Sequence, residues 1–123
     1  MRCVAVRGAT TVEENGQAEI LEATRELLNE VVTVNRIAIE DVASVIFTAT
    51  CDLDAAYPAV AARELGWTHT PLLCMQEMNV AGSLRRCVRV LIHWNSECTQ
   101  GEVLSVYLRG AQVLRPDLMG GIR

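Results

Sequence analysis

The chain contains no lysine; all eleven of its basic residues are arginine. That absence excludes a side-chain Schiff base and a lysine general base. Histidine is nearly absent too, with only His69 and His93. The five cysteines (Cys3, Cys51, Cys74, Cys87 and Cys98) are odd in number, scattered and without a C-x-x-C pair. They form neither a disulfide framework nor a zinc-ligand pattern, so no metal is expected and most read as small core hydrophobes. Positive charge is in deficit, at a net −4, which argues against nucleic acid as a partner. No apolar run approaches the roughly 20 residues of a membrane span. Cys3-Val-Ala-Val6 is cut short by Arg7, too soon for a signal-peptide core, so a cytoplasmic protein is the expectation. Catalytic signatures are missing as well. There is no nucleophile beside a base in sequence and no G-x-S-x-G, Walker loop, G-x-G-x-x-G or H-E-x-x-H.

What the chain has is apolar mass and oddly placed charge. Its 123 residues, half of them apolar, suit one domain with a sizeable core. The apolar share is rich for so small a monomer and leans toward an oligomer with an apolar interface. Val4–Val6 reads as a first strand ended by Gly8-Ala-Thr-Thr11. From Gly16 to Val34, Ile20, Ala23, Leu27, Val31 and Val34 recur every three or four residues against Glu19, Glu22, Glu26 and Glu30. This predicts one long amphipathic helix, with Asn15 as its N-cap.

Ser44–Thr50 is β-branched and apolar, a central strand. Pro58 opens a short helix that stops before Gly66. Thr70–Met75, Arg86–Trp94 and Val103–Leu108 read as three further strands, and Val80–Ser83 as a turn. Pro116 prevents Val113-Leu-Arg115 from continuing far as helix or central strand. The order predicts an α+β fold: a mixed five-stranded sheet with one long and one short helix on one face. The other face carries apolar area that a homo-oligomer would cover. Residues 1–118 are expected to form the single domain and 119–123 a flexible tail.

Strand alternation then sorts the charges. Cys87, Arg89, Leu91 and His93 share one face of their strand; Val88, Val90, Ile92 and Trp94 share the other. If the Val/Ile/Trp face meets the helices, Arg89 lies on the opposite surface together with Arg7, and Tyr107 is able to join them. Glu77, the lone carboxylate of Cys74-Met-Gln-Glu-Met78, reaches the same region from a strand end. Arg63 lies on the short helix after Tyr57, and Arg115 follows Val113-Leu114. Any single arginine here is readily satisfied by Glu77 or by backbone carbonyls. Four arginines against one nearby carboxylate do not balance, whereas an anionic ligand would balance them, a dicarboxylate best. With this inventory an enzyme works by positioning and fixed charge.

Arg7-Gly-Ala-Thr-Thr-Val-Glu13, Tyr57-Pro-Ala59, Ala62-Arg-Glu64, Cys74-Met-Gln-Glu-Met78, Cys87-Val-Arg-Val90, Val106-Tyr-Leu108 and Leu114-Arg-Pro-Asp-Leu118 occur in this order along the chain. Together they closely resemble the AroH-type chorismate mutases. The resemblance implies a homotrimeric pseudo-α/β-barrel with one active site at each subunit interface. It implies the Claisen rearrangement of chorismate to prephenate, on the route to phenylalanine and tyrosine, with no cofactor and no covalent intermediate. Carried onto matching positions, Arg89 donates to the ether oxygen and a substrate carboxylate. Glu77 accepts from the ring hydroxyl, with Cys74 close by, and Arg7 and Tyr107 hold the side-chain carboxylate. Tyr57, Ala59, Arg63 and Leu114 form walls and rim, and Arg115 closes from the C-terminal segment. Two positions depart from the pattern: Tyr57 stands where members have phenylalanine, and Val60 where one has lysine. A Rid-type imine deaminase, or a non-catalytic module that senses an aromatic-pathway dicarboxylate, are the alternatives.

Overall fold

The computed structural model describes residues 1–114; Arg115 and the expected tail lie outside the described residues. Five strands form one sheet in the order β3-β2-β4-β1-β5: β1 (Arg2–Thr11), β2 (Val42–Ala49), β3 (Leu72–Gln76), β4 (Cys87–Ser96) and β5 (Val106–Tyr107). β4 runs antiparallel to both β1 and β2. The outer pairs, β1 with β5 and β2 with β3, are parallel, so the sheet is mixed. Two helices, α1 (Gln17–Asn35) and α2 (Ala59–Glu64), complete the α+β arrangement. No helix among the described residues is long and apolar enough to cross a membrane.

The core lies between the helices and one face of the sheet. α1 buries Ile20, Leu21, Ala23, Leu27, Leu28 and Val31, the stripe its 3.6-residue period requires. Leu27, Leu28 and Val31 meet Val4 and Val6 of β1, Val45 and Phe47 of β2, and Val90, Ile92 and Trp94 of β4, while Ile20 and Ala23 pack with Val12, Leu53 and Val88. Trp94 and Phe47 are the largest fully buried side chains. The opposite face has no helix over it. Leu73 is 55% exposed there and Met75 45%, while Arg89, Leu91 and His93 are partly buried.

Several boundaries differ from expectation for identifiable reasons. β1 does not end at Gly8 but continues to Thr11, because Gly8–Thr11 pair with Cys87–Val90. The glycine is there for close approach: a Cβ on Gly8 would lie 3.1 Å from Leu27 Cδ1 and 3.2 Å from the Val106 carbonyl oxygen. Asn15 does not cap α1. Gly16 occupies the N-cap without a side-chain bond, and Asn15 Oδ1 instead accepts the amides of Asp54 and Ala55, both at 3.1 Å. The last strand shrinks to two residues. Ahead of it Gln100 uses its side-chain amide as a strand substitute, accepting from Ala5 N at 2.9 Å and donating to Ala5 O at 2.6 Å. Beyond β5 the chain turns as a 3₁₀ helix over Arg109–Leu114, which lays Ala111 and Leu114 against Ala9, Cys87 and Tyr107.

Candidate functional site

A single rung of the sheet register assembles the charged side chains. Reading across all five strands, Met75, Thr48, Arg89, Ala9 and Tyr107 are successive partners, so their side chains share the open face. The next rung carries Leu73, Ile46, Leu91 and Arg7. Arg7 is thus a diagonal neighbour of Arg89, within reach of a long side chain. Glu77 enters from the end of β3, where its amide donates to Ala49 O at 2.9 Å.

Glu77 and Arg89, separated in sequence, come together here. Arg89 Nε lies 3.5 Å from Glu77 Oε1. This is ion-pair distance, yet the N–H finds no hydrogen-bond acceptor, and Arg89 Nε is one of two buried unpaired side-chain polar atoms among the described residues. The same Oε1 is already engaged, because Thr48 Oγ1 donates to it at 2.6 Å. Leaving a buried donor without a partner costs roughly 1–3 kcal/mol, more when the group is charged. Beneath Arg89, burial pushes the Cys87 thiol up from its ordinary pKa, with the nearby guanidinium pulling against that shift. Cys87 therefore stays a neutral thiol, packed with Ala9 and Ala111 beside the charges. Cys87 was expected on the Arg89 face, but Thr48 was not anticipated as a neighbour of the pair. A hydroxyl at the alternate positions of an otherwise apolar strand was the only available signal.

The remaining expected site residues lie elsewhere. Ala59 is buried in α2, Arg63 is exposed on the same helix and Tyr57 just before it is 72% exposed. Cys74 packs on the helix side of β3. Tyr57 and Cys74 line a cavity of about 570 Å³ with Phe47, Leu53, Val60 and Met75, which neither Arg89 nor Glu77 lines. A second cavity of about 360 Å³ runs along Glu77, Met78 and the 79–85 loop. Leu114 sits half-buried beside Tyr107, and Arg115 lies outside the described residues. One protomer therefore brings Arg7, Glu77, Arg89, Tyr107 and Leu114 to its open face and holds Tyr57, Ala59 and Arg63 at the α2 edge. Arg7 and Arg63 form no ion pair among the described residues. No group of three metal-ligating side chains exists among them either, and all five cysteines are free.

Comparison with known proteins gives this geometry a family. The model of the family described as chorismate mutase type I matches residues 3–118. The chain is 46% identical over 114 residues to the chorismate mutase AroH of Bacillus subtilis (strain 168), spanning 92% of this chain and 90% of that relative. It is 51% identical over 114 residues to the chorismate mutase AroH of Thermus thermophilus, spanning 92% and 93%. Among solved structures, the chorismate mutase from Clostridium thermocellum superposes with a TM-score of 0.88 at 50% identity, covering 89% of this chain and 97% of that one. The chain belongs to the type I chorismate mutases.

Proposed function

We propose that the open face forms half of an active site that rearranges chorismate to prephenate, and that Arg89 is its principal catalytic group. The observation that carries this reading is the buried Arg89 Nε, which has no acceptor although a carboxylate lies 3.5 Å away. In the rearrangement the ether C–O bond breaks while a C–C bond forms, the electrons moving around one six-membered ring with no proton transferred. Negative charge grows on the ether oxygen as the bond lengthens. A fixed guanidinium donor at that oxygen is worth more in the transition state than in the ground state, which is the condition for acceleration. Glu77, held by Thr48, accepts from the ring hydroxyl and sets the orientation of the ring. Arg7 and Tyr107, on neighbouring rungs, receive the side-chain carboxylate; Cys74, in the cavity with Tyr57 on the helix side of β3, comes near the hydroxyl from a neighbouring copy. The chemistry needs neither a cofactor nor a covalent intermediate.

The other half comes from a second copy in a homotrimer. The exposed apolar row of Leu73, Met75 and Met78 (77% exposed) favours cover by protein. A neighbour laid on that face brings its own Tyr57, Ala59 and Arg63 to the rim, with Leu114 and Arg115 closing from the C-terminal segment. The test is direct: the purified protein is incubated with chorismate, prephenate is assayed, and Arg89→Ala serves as the comparison. Turnover to prephenate that falls at least about a hundredfold in Arg89→Ala, with assembly intact, is expected. Binding of chorismate without turnover in the unmodified protein would sink the reading.

A further inference from the structure

Arg89 is useful only if its strand is held in place, and the end of β4 nearest to it is fixed by an unusual contact. Asp52, in the loop after β2, receives the Arg86 amide on both carboxylate oxygens, at 3.2 and 3.1 Å. Thr50 Oγ1 donates to Asp52 Oδ1 at 2.5 Å and accepts the next amide, that of Cys87, at 3.0 Å. Two successive backbone N–H groups thus converge on one carboxylate and the hydroxyl bound to it, a small anion-holding nest of the kind that needs a left-handed residue. That residue is Arg86, at φ 47°, a conformation that a β-carbon disfavours and that glycine, asparagine and aspartate adopt most readily. Arg86 is tied down on its other side as well, its Nε donating to Val12 O at 3.2 Å and its carbonyl accepting the Val12 amide at 3.0 Å.

The clasp therefore joins the β2 loop, the end of β1 and the first residues of β4. Arg89 stands three residues beyond it on the rung with Thr48, and Thr48 is what orients Glu77. Partial burial raises the Asp52 pKa, but the hydrogen bonds from Thr50 and the Arg86 amide outweigh it and hold the carboxyl below its ordinary range. The side chain is charged throughout the neutral range, and the Arg86 guanidinium favours that charge as well.

We infer that Asp52 is a positioning residue for Arg89: with Thr50 it locks Arg86 and Cys87 so that the guanidinium meets the reacting oxygen rather than relaxing onto Glu77. This rests on the proposed catalytic role of Arg89. The test is a double-mutant cycle on the full-length protein, with kcat and KM measured on chorismate and prephenate as the readout. Asp52→Ala is expected to lower kcat about tenfold with KM within about twofold, the pattern of a displaced donor at the reacting centre. Asp52→Asn, whose amide oxygen still accepts from Arg86, recovers most of the loss. In an Arg89→Ala background the same Asp52→Ala change moves kcat by less than about twofold, because the group it positions is gone. Equal losses in both backgrounds, or an unchanged kcat in Asp52→Ala, overturn the inference while leaving Arg89 catalytic. An Arg89→Ala enzyme with normal kcat instead overturns the reading beneath it. Should Asp52→Ala fail to fold, Thr50→Val removes the relay while keeping a branched side chain, and the same cycle decides.

Discussion

The two faces of β4 share one backbone and one register but answer to different demands. Val88, Val90, Ile92 and Trp94 are sealed beneath the helices, none more than 2% exposed. Cys87, Arg89, Leu91 and His93 alternate with them on the open side, and only Cys87 is fully buried. The sealed face is apolar but for the buried hydroxyls of Thr10, which pairs across from Val88, and Thr24 of α1, and the requirement is volume. On the open face Arg89, with a buried and unpartnered donor, shares its rung with exposed Met75 and sits one rung from exposed Leu73, and the requirement is direction. The first face stabilises a fold; the second holds charge in a costly place, which a fold alone has no reason to do.

The largest effect separates the faces by stability. Phe47→Ala removes a side chain that is 0% exposed in the sealed core and should cost about 3–5 kcal/mol in denaturant unfolding. Leu73→Ala, 55% exposed on the open face of one protomer, should cost less than about 0.5 kcal/mol at dilutions where copies are separate. If a second copy covers that face, its cost grows as the protein concentration is raised and copies assemble, as mass action requires. A Leu73→Ala loss independent of concentration would mean that nothing packs there.

Arg89→Lys is next in size and concerns direction alone. Lysine keeps the positive charge but loses the planar fork, so kcat should fall about 100- to 1,000-fold while the melting temperature and assembly stay near those of the unmodified protein. Near-normal turnover would show that charge alone suffices and would remove Arg89 from its assigned role.

This division was partly legible before any fold was known. Period-two alternation in Cys87–Trp94 sorted Arg89 from Val88 and Val90 without a structure, because a strand has only two faces. The periodicity of α1 marked the helical cover in the same way. Glu77 was expected in the region of Arg89, but its 3.5 Å approach to Nε was not legible: it depends on β3 and β4 both flanking β2, and strand order is a long-range property that no local pattern encodes. Gly8 read as a strand end because glycine usually punctuates; here it admits Leu27 and the Val106 carbonyl at close range. Asn15 read as a cap for α1, but the loop at Asp54–Ala55 offered its side chain better-placed donors than the helix did. The α2 residues looked like one site with Arg89 on resemblance alone, and the structure of one chain divides them between the open face and an edge.

The smallest effect tests that division. Arg63 is exposed on α2, forms no ion pair among the described residues, and lies with Tyr57 away from the Arg89 rung. If it reaches the substrate only as the rim contributed by a neighbouring copy, its charge guides and holds a dianion without touching the breaking bond. Arg63→Ala should then raise KM for chorismate about tenfold and leave kcat within about threefold, because binding common to ground and transition states is what it removes. The KM effect should also shrink as salt is added, since an exposed charge is screened within about 10 Å at moderate ionic strength. A loss confined to kcat would place Arg63 at the reacting atoms. The α2 edge would then belong to the same directional machinery as Arg89, and the contrast between the open face and its rim would fail.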